Sequence, residues 1–123
     1  GAYAYRSLYN QFGMLALGTD FPVEDINPFL TLRAAVLRMD KNDFPNNGFL
    51  REESLDLNTA LKGMTIWPQF ASFSESERGM LIQGMEATFF VCAKPFNETS
   101  IPVKNGSIVT YIRGRKVYEA AVY

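Results

Sequence analysis

Histidine is absent from the 123 residues, and cysteine occurs once, at Cys92. Without imidazole, no Ser-His-Asp or Cys-His arrangement can form within the chain. The usual ligands of zinc and other borderline metals are missing for the same reason. A lone thiol excludes an internal disulfide and leaves the redox compartment open. Charge of one sign is also lacking: twelve basic residues against thirteen acidic ones give a net charge of -1. No overall field therefore favours nucleic acid or an anionic membrane, and neither is expected as a partner. No apolar run approaches the ~20 residues of a membrane span. No signal-peptide pattern opens the sequence, with Gly1 set aside as a remnant of tag removal. There is no internal repeat and no low-complexity segment.

What is present is ordinary for a globular chain, 47% apolar and 20% charged residues. The length suits one domain with a modest core. The informative stretch is residues 14–29. A short apolar run at residues 14–17 stops at Gly18, and a single aspartate, Asp20, follows. A Pro-containing turn comes next, and Asn27-Pro28 opens a helix, Asn27 as cap and Pro28 at the first helical position. The run at residues 14–17 is apolar at every position, which predicts a strand covered on both faces. An apolar strand that delivers one carboxylate at its C-terminal end and returns through a helix is the unit of a β/α barrel, whose strand ends carry the chemistry. Asp20 is accordingly the candidate catalytic residue. By position alone, an aspartate in a Gly-Thr-Asp loop is more readily a turn or helix cap.

The rest of the chain supplies the frame. Residues 3–11 read as a helix with Tyr5, Leu8 and Phe12 on one face, stopped by Gly13. The helix after Pro28 is expected to run to Met39, with Phe29, Leu32, Ala35, Val36 and Met39 as its stripe. Residues 40–48 are turn-rich and form a loop. Asp56 caps a further helix with Leu57, Ala60, Leu61 and Met64 inward, and a short helix follows with Pro68 in its first turn. From Gly79 the composition turns to β: residues 88–93, 107–112 and 116–123 read as strands, with a hairpin at Gly114. Residues 95–106 read as a long connection. Glu24 and Asp25 fit either substrate or metal contacts or solvated acids favoured by the dipole of the next helix. Thr19 and Trp67 read as packing residues, and Arg113, Arg115 and Lys116 as a solvated hairpin edge.

Four blocks in this order resemble the C-terminal part of a metal-dependent amidohydrolase. They are Leu17-Gly-Thr-Asp-Phe-Pro-Val-Glu24 with Asn27-Pro28, Ala60-Leu-Lys-Gly-Met-Thr-Ile-Trp67, Gly79-Met-Leu-Ile-Gln-Gly84 and Tyr111-Ile-Arg-Gly-Arg-Lys-Val-Tyr118. The nearest subgroup is that of predicted TIM-barrel amidohydrolases and N-acyl-amino-acid deacylases. One block departs: where the family turn reads Gly-Lys-x-Ala-Asp, this chain has Gly84-Met-Glu-Ala-Thr88.

The resemblance implies an α/β parent, with residues 1–78 as the last barrel strand and helices and residues 79–123 as strands of a small β-sandwich. The isolated chain would be α+β, since a barrel takes about 250 residues. It further implies that Asp20 ends the eighth barrel strand, binds the catalytic metal and takes the proton from the attacking water. The metal is expected to be divalent, zinc by preference, held with ligands from upstream strands and absent from this chain alone. The substrate is expected to be a small amide-type molecule with a C–N bond to be cleaved, and the location cytoplasmic. The competing expectation is a non-enzymatic α+β binding domain, self-associating as a homo-oligomer through exposed apolar surface.

Overall fold

The computed structural model describes residues 1–104 and 106–120. Its helical part contains α1 (Tyr5–Phe12), α2 (Pro28–Val36), α3 (Leu57–Thr65) and the short α4 (Trp67–Ala71), with one 3-10 turn at Arg51–Glu53. Its sheet contains β1 (Phe89–Cys92), β2 (Ser107–Ile112) and β3 (Arg115–Glu119), antiparallel in the order β1-β2-β3. The arrangement is α+β.

Local chemistry sets the helix ends. Asn27 Oδ1 accepts the Phe29 N–H at 3.0 Å, and Pro28 sits where no intrahelical N–H is required. The helix stops at Val36, three residues short of the expected Met39, because Arg38 turns left-handed (φ 59°). The Leu37 and Arg38 N–H groups both return to the Arg33 carbonyl and satisfy the helix end. Asp56 caps α3 with both oxygens, taking the Thr59 N–H at 2.9 Å and the Thr59 hydroxyl at 2.6 Å. These bonds, the hydroxyl first, hold the Asp56 carboxyl below its usual range against the opposing effect of burial.

The core lies between α2 and α3. Phe29, Leu32, Ala35 and Val36 of α2 meet Leu55, Ala60 and Ile101, all buried. Ile101 comes from the long connection expected at residues 95–106. Its residues 95–103 form a strap laid across the helices: Phe96 meets Phe29 edge-on at 5.5 Å, and Ile101 is only 2% exposed. Arg33, itself buried, donates from Nη1 to the Ile101 carbonyl and from Nη2 to Asp43 and the Asp40 carbonyl. A guanidinium inside the core is tolerated because Nη1 and Nη2 donate to these oxygens, although its buried Nε has no hydrogen-bond partner among the described residues.

Two expectations fail in the N-terminal part. Residues 14–17 are not a strand: of the described residues none forms a ladder with them, and the Leu17 N–H donates to the Gly63 carbonyl at 2.8 Å. A strand needs a neighbour's backbone, and an apolar sequence cannot supply one. Nor are both faces covered, since Leu15 and Leu17 pack on the core while Met14 and Ala16 are exposed. In α1 the side facing the core is Tyr5 and Tyr9 rather than the stripe Tyr5, Leu8 and Phe12; Tyr9 stacks on Trp67 at 5.6 Å, and Phe12 is 73% exposed.

The sheet follows the sequence closely. Arg113 and Gly114 both adopt positive φ, the twist a two-residue hairpin turn requires. Thr88, in place of the family's aspartate, leads into β1, and its hydroxyl accepts the Arg113 N–H at 3.0 Å. Bulges interrupt both ladders, at Val91/Cys92 and at Thr110/Tyr111. The third expected strand begins one residue early, at Arg115, and its expected last residues, 121–123, lie outside the described residues.

Candidate functional site

Asp20 sits in a loop that is sewn to itself. Its carbonyl accepts the Val23 N–H at 2.8 Å and the Glu24 N–H at 3.4 Å, closing a turn. Its own backbone is left-handed, φ 55°. Aspartate tolerates that region better than most residues, yet the conformation is uncommon outside glycine and is a recurrent feature of functional loops. The capping work in the loop is done by neighbours: Thr19 Oγ1 accepts the Phe21 N–H at 3.3 Å, and Asp25 Oδ1 accepts the Asn27 N–H at 2.9 Å. Among the described residues the Asp20 carboxylate takes part in no hydrogen bond and no ion pair, so it does not serve as a cap.

The carboxylate borders an open cavity of about 860 Å³. Asp20, Glu24 and Asp25 are among its lining residues, as are Ala16, Gly18 and Ala34. Arg38, Tyr5 and Phe49 line it as well. Arg38 is buried and donates to the Phe49 and Tyr3 carbonyls at 2.9 and 3.0 Å, with its guanidinium 5.4 Å from the Tyr5 ring centre. Nothing local marks these Arg38 contacts in advance, because the residue falls inside the expected helix.

The approach of residues 15–17 to α3 depends on Gly63. A Cβ there would lie 2.8 Å from the Leu15 carbonyl oxygen and 2.9 Å from Leu17 Cδ1. Glycine is required here by contact, not by backbone angle. Glu24 and Asp25 are exposed, with Asp25 already engaged by Asn27. Thr19 and Trp67 are both half-buried; Trp67 packs on Tyr9, whereas Thr19 uses its hydroxyl within the loop. Arg113 pairs with Glu86 at 3.1 Å and Lys116 with Glu119 at 2.5 Å, both on the surface. Cys92 is half-buried, and burial pushes its thiol pKa up, away from reactivity.

Asp20 offers one carboxylate, and the described residues hold no group of three or more His, Cys, Asp or Glu side chains placed to bind a metal. A divalent ion at Asp20 therefore needs donors from beyond the described residues. No helix among the described residues is long and apolar enough to cross a membrane.

The model of the amidohydrolase family matches residues 1–118, nearly the whole chain. The chain belongs to the amidohydrolase family. Among its relatives, the protein LONG AFTER FAR-RED 3 of Arabidopsis thaliana is 32% identical over 118 residues, which are 95% of this chain and 20% of that protein. A putative amidohydrolase of Bacillus subtilis, YtcJ, is 27% identical over 124 residues, 96% of this chain and 23% of its own length. The chain thus spans about a fifth of the length of these relatives. No solved structure matches it significantly. In this member of the amidohydrolase family, the segment leading to Asp20 is tied by the Leu17 N–H to the Gly63 carbonyl, and Asn27 caps the helix that follows.

Proposed function

We propose that this chain is the C-terminal portion of a metal-dependent hydrolase that cleaves C–N bonds of small amide-type substrates, other than peptide bonds. In this reading residues 1–78 complete a TIM barrel, with residues 14–17 as its last strand, and residues 79–123 belong to a composite β-sandwich. The nearest subgroup is the N-acyl-amino-acid deacylase-like one. The observation that carries the reading is Asp20: a carboxylate free of hydrogen bonds, held in left-handed backbone, bordering the cavity within the Gly-Thr-Asp-x-Pro-Val block. The one-sided burial of residues 14–17 supports the reading, because Met14 and Ala16 are exposed and, among the described residues, the segment forms no ladder beyond the single Leu17 N–H to Gly63 bond.

The divalent metal, zinc by preference, would supply an activated water nucleophile when bound. This chain's part is to offer an Asp20 oxygen as one donor and to accept the proton as attack on the carbonyl carbon proceeds. The turn at residues 20–24 holds the carboxylate at the cavity wall. Alone, the chain has one such donor, so it is expected to be inactive and to retain well below one metal ion per polypeptide.

In the full-length enzyme, Asp20→Ala should abolish amide hydrolysis while the protein remains folded. Retained turnover in that variant would sink the assignment.

The second reading, a self-associating non-enzymatic domain, is favoured by one observation: β3 is exposed along its whole length, and Phe90, Ile108, Ile112 and Val117 of the sheet face solvent. Sedimentation of the chain over a range of concentrations tests it. A monomer throughout would remove that reading.

A further inference from the structure

The Asp20 loop is fixed to the rest of the molecule through few groups. Among the described residues, the hydrogen bonds of residues 18–26 stay within residues 18–27. Apolar packing does not hold the loop either, since Phe21, Val23 and Ile26 are 60%, 77% and 66% exposed. On the N-terminal side the chain is tied by the Leu17 N–H to the Gly63 carbonyl at 2.8 Å. On the C-terminal side everything passes through Asn27.

Asn27 uses both ends of its amide. Oδ1 accepts the Phe29 N–H at 3.0 Å and caps α2. Nδ2 donates to the Val103 carbonyl at 2.7 Å, a bond spanning 76 positions of sequence. Its backbone N–H closes onto Asp25 Oδ1 at 2.9 Å. Val103 lies in the strap whose Ile101 is buried in the core and whose Ile101 carbonyl is held by Arg33. The strap is therefore a fixed point, and Asn27 connects the loop to it.

We propose that Asn27 is a positioning residue for Asp20, its side-chain amide locking the Asp20 loop to the strap at residues 95–103. The inference rests on the reading of Asp20 as a metal-binding carboxylate. A serine, threonine or aspartate would cap α2 as well as asparagine does. Of the good caps, asparagine alone also presents an N–H donor on the same planar group to a carbonyl on the other side. Cap and clamp are therefore separable by one substitution. Asn27→Asp keeps an acceptor at the N-terminus of α2, where the helix dipole favours negative charge. It replaces the donor facing Val103 with a second acceptor, and two oxygens cannot remain 2.7 Å apart in that place.

The experiment uses the full-length enzyme and zinc as the probe. Zinc affinity is measured by competition with a chelator for wild type, Asp20→Ala and Asn27→Asp, and amide hydrogen exchange is followed in the same samples. Asp20→Ala should lose zinc. Asn27→Asp should bind it at least tenfold more weakly, with faster exchange at residues 20–26 and 101–104 and unchanged protection of α2. If Asp20→Ala loses zinc and Asn27→Asp binds it like wild type, the positioning role is wrong. If Asn27→Asp weakens zinc but α2 exchanges faster to the same degree as the loop, the effect is general destabilisation and the role is also wrong. If Asp20→Ala binds zinc like wild type, the reading of Asp20 fails instead, and the positioning role falls with it.

Discussion

The helical part and the sheet are both built from largely apolar sequence and end in opposite states. Around α2 and α3, side chains from three separate stretches close a core, and one of them, Ile101, is brought in from a segment with no regular structure. In the sheet, the residues that make good strands leave much of their surface in solvent: Tyr118 and Val117 are each 51% exposed, and Phe90 is 47% exposed. Its regularity comes from ladder hydrogen bonds and cross-strand pairs, such as Phe89 stacked on Tyr111 at 5.0 Å. Among the described residues, Cys92 is the strand residue that packs on the helical core, so the sheet has little to stabilise it beyond these pairs. The difference teaches that strand propensity fixes local form here, while burial is decided by whatever lies opposite.

That comparison can be broken or sharpened by substitution. Ile101→Ala should have the largest effect, about 3 kcal/mol in urea unfolding, because it empties a fully buried site in the helical core. A loss below about 1 kcal/mol would mean the strap is not part of that core. Gly63→Ala should cost about 1–3 kcal/mol, since its Cβ would overlap backbone and side chain of residues 15–17. Unchanged stability there would show that those residues do not lie against α3.

Asp56→Ala should cost about 1 kcal/mol through loss of the α3 cap. Its dependence on pH has a definite sign. The Asp56 carboxyl titrates below its usual value in the folded chain, so its contribution is complete above the ordinary carboxylate pKa of about 3.9 and fades as pH falls through the lowered folded value. The gap between wild type and Asp56→Ala should narrow on acidification through that window; a gap that widens would contradict the capping geometry. Val117→Ala, in the exposed β3, should change stability by less than about 0.5 kcal/mol. A cost like that of Ile101→Ala would mean the sheet is covered in solution, by another copy or by further chain.

Legibility followed the range of the interaction. The two Asx caps, the Pro28 start, the Gly13 stop and the Arg113-Gly114 turn are signalled within four residues, and each was readable. Asp20 stood out because its motif is short and contiguous. The clamp from Asn27 to Val103 was not readable, since nothing in an Asn-Pro pair announces a partner 76 positions away. Arg33 and Arg38 fall within the expected helix but outside its apolar stripe, yet both are buried, with donors that meet carbonyls supplied by distant loops.

By itself, then, the sequence determined where α2 and α3 start, where the hairpin turns, which family the blocks belong to, and that no histidine-based chemistry arises within this chain, because those depend on local sterics, local hydrogen bonds and composition. Only the tertiary structure decided that residues 14–17 lie extended without a ladder, that residues 95–103 form a strap over the core, and that the Asp20 loop hangs between Gly63 and Val103. Each of these rests on a backbone or side-chain partner far away in the chain, and such partners are chosen by packing, not by the residues that need them.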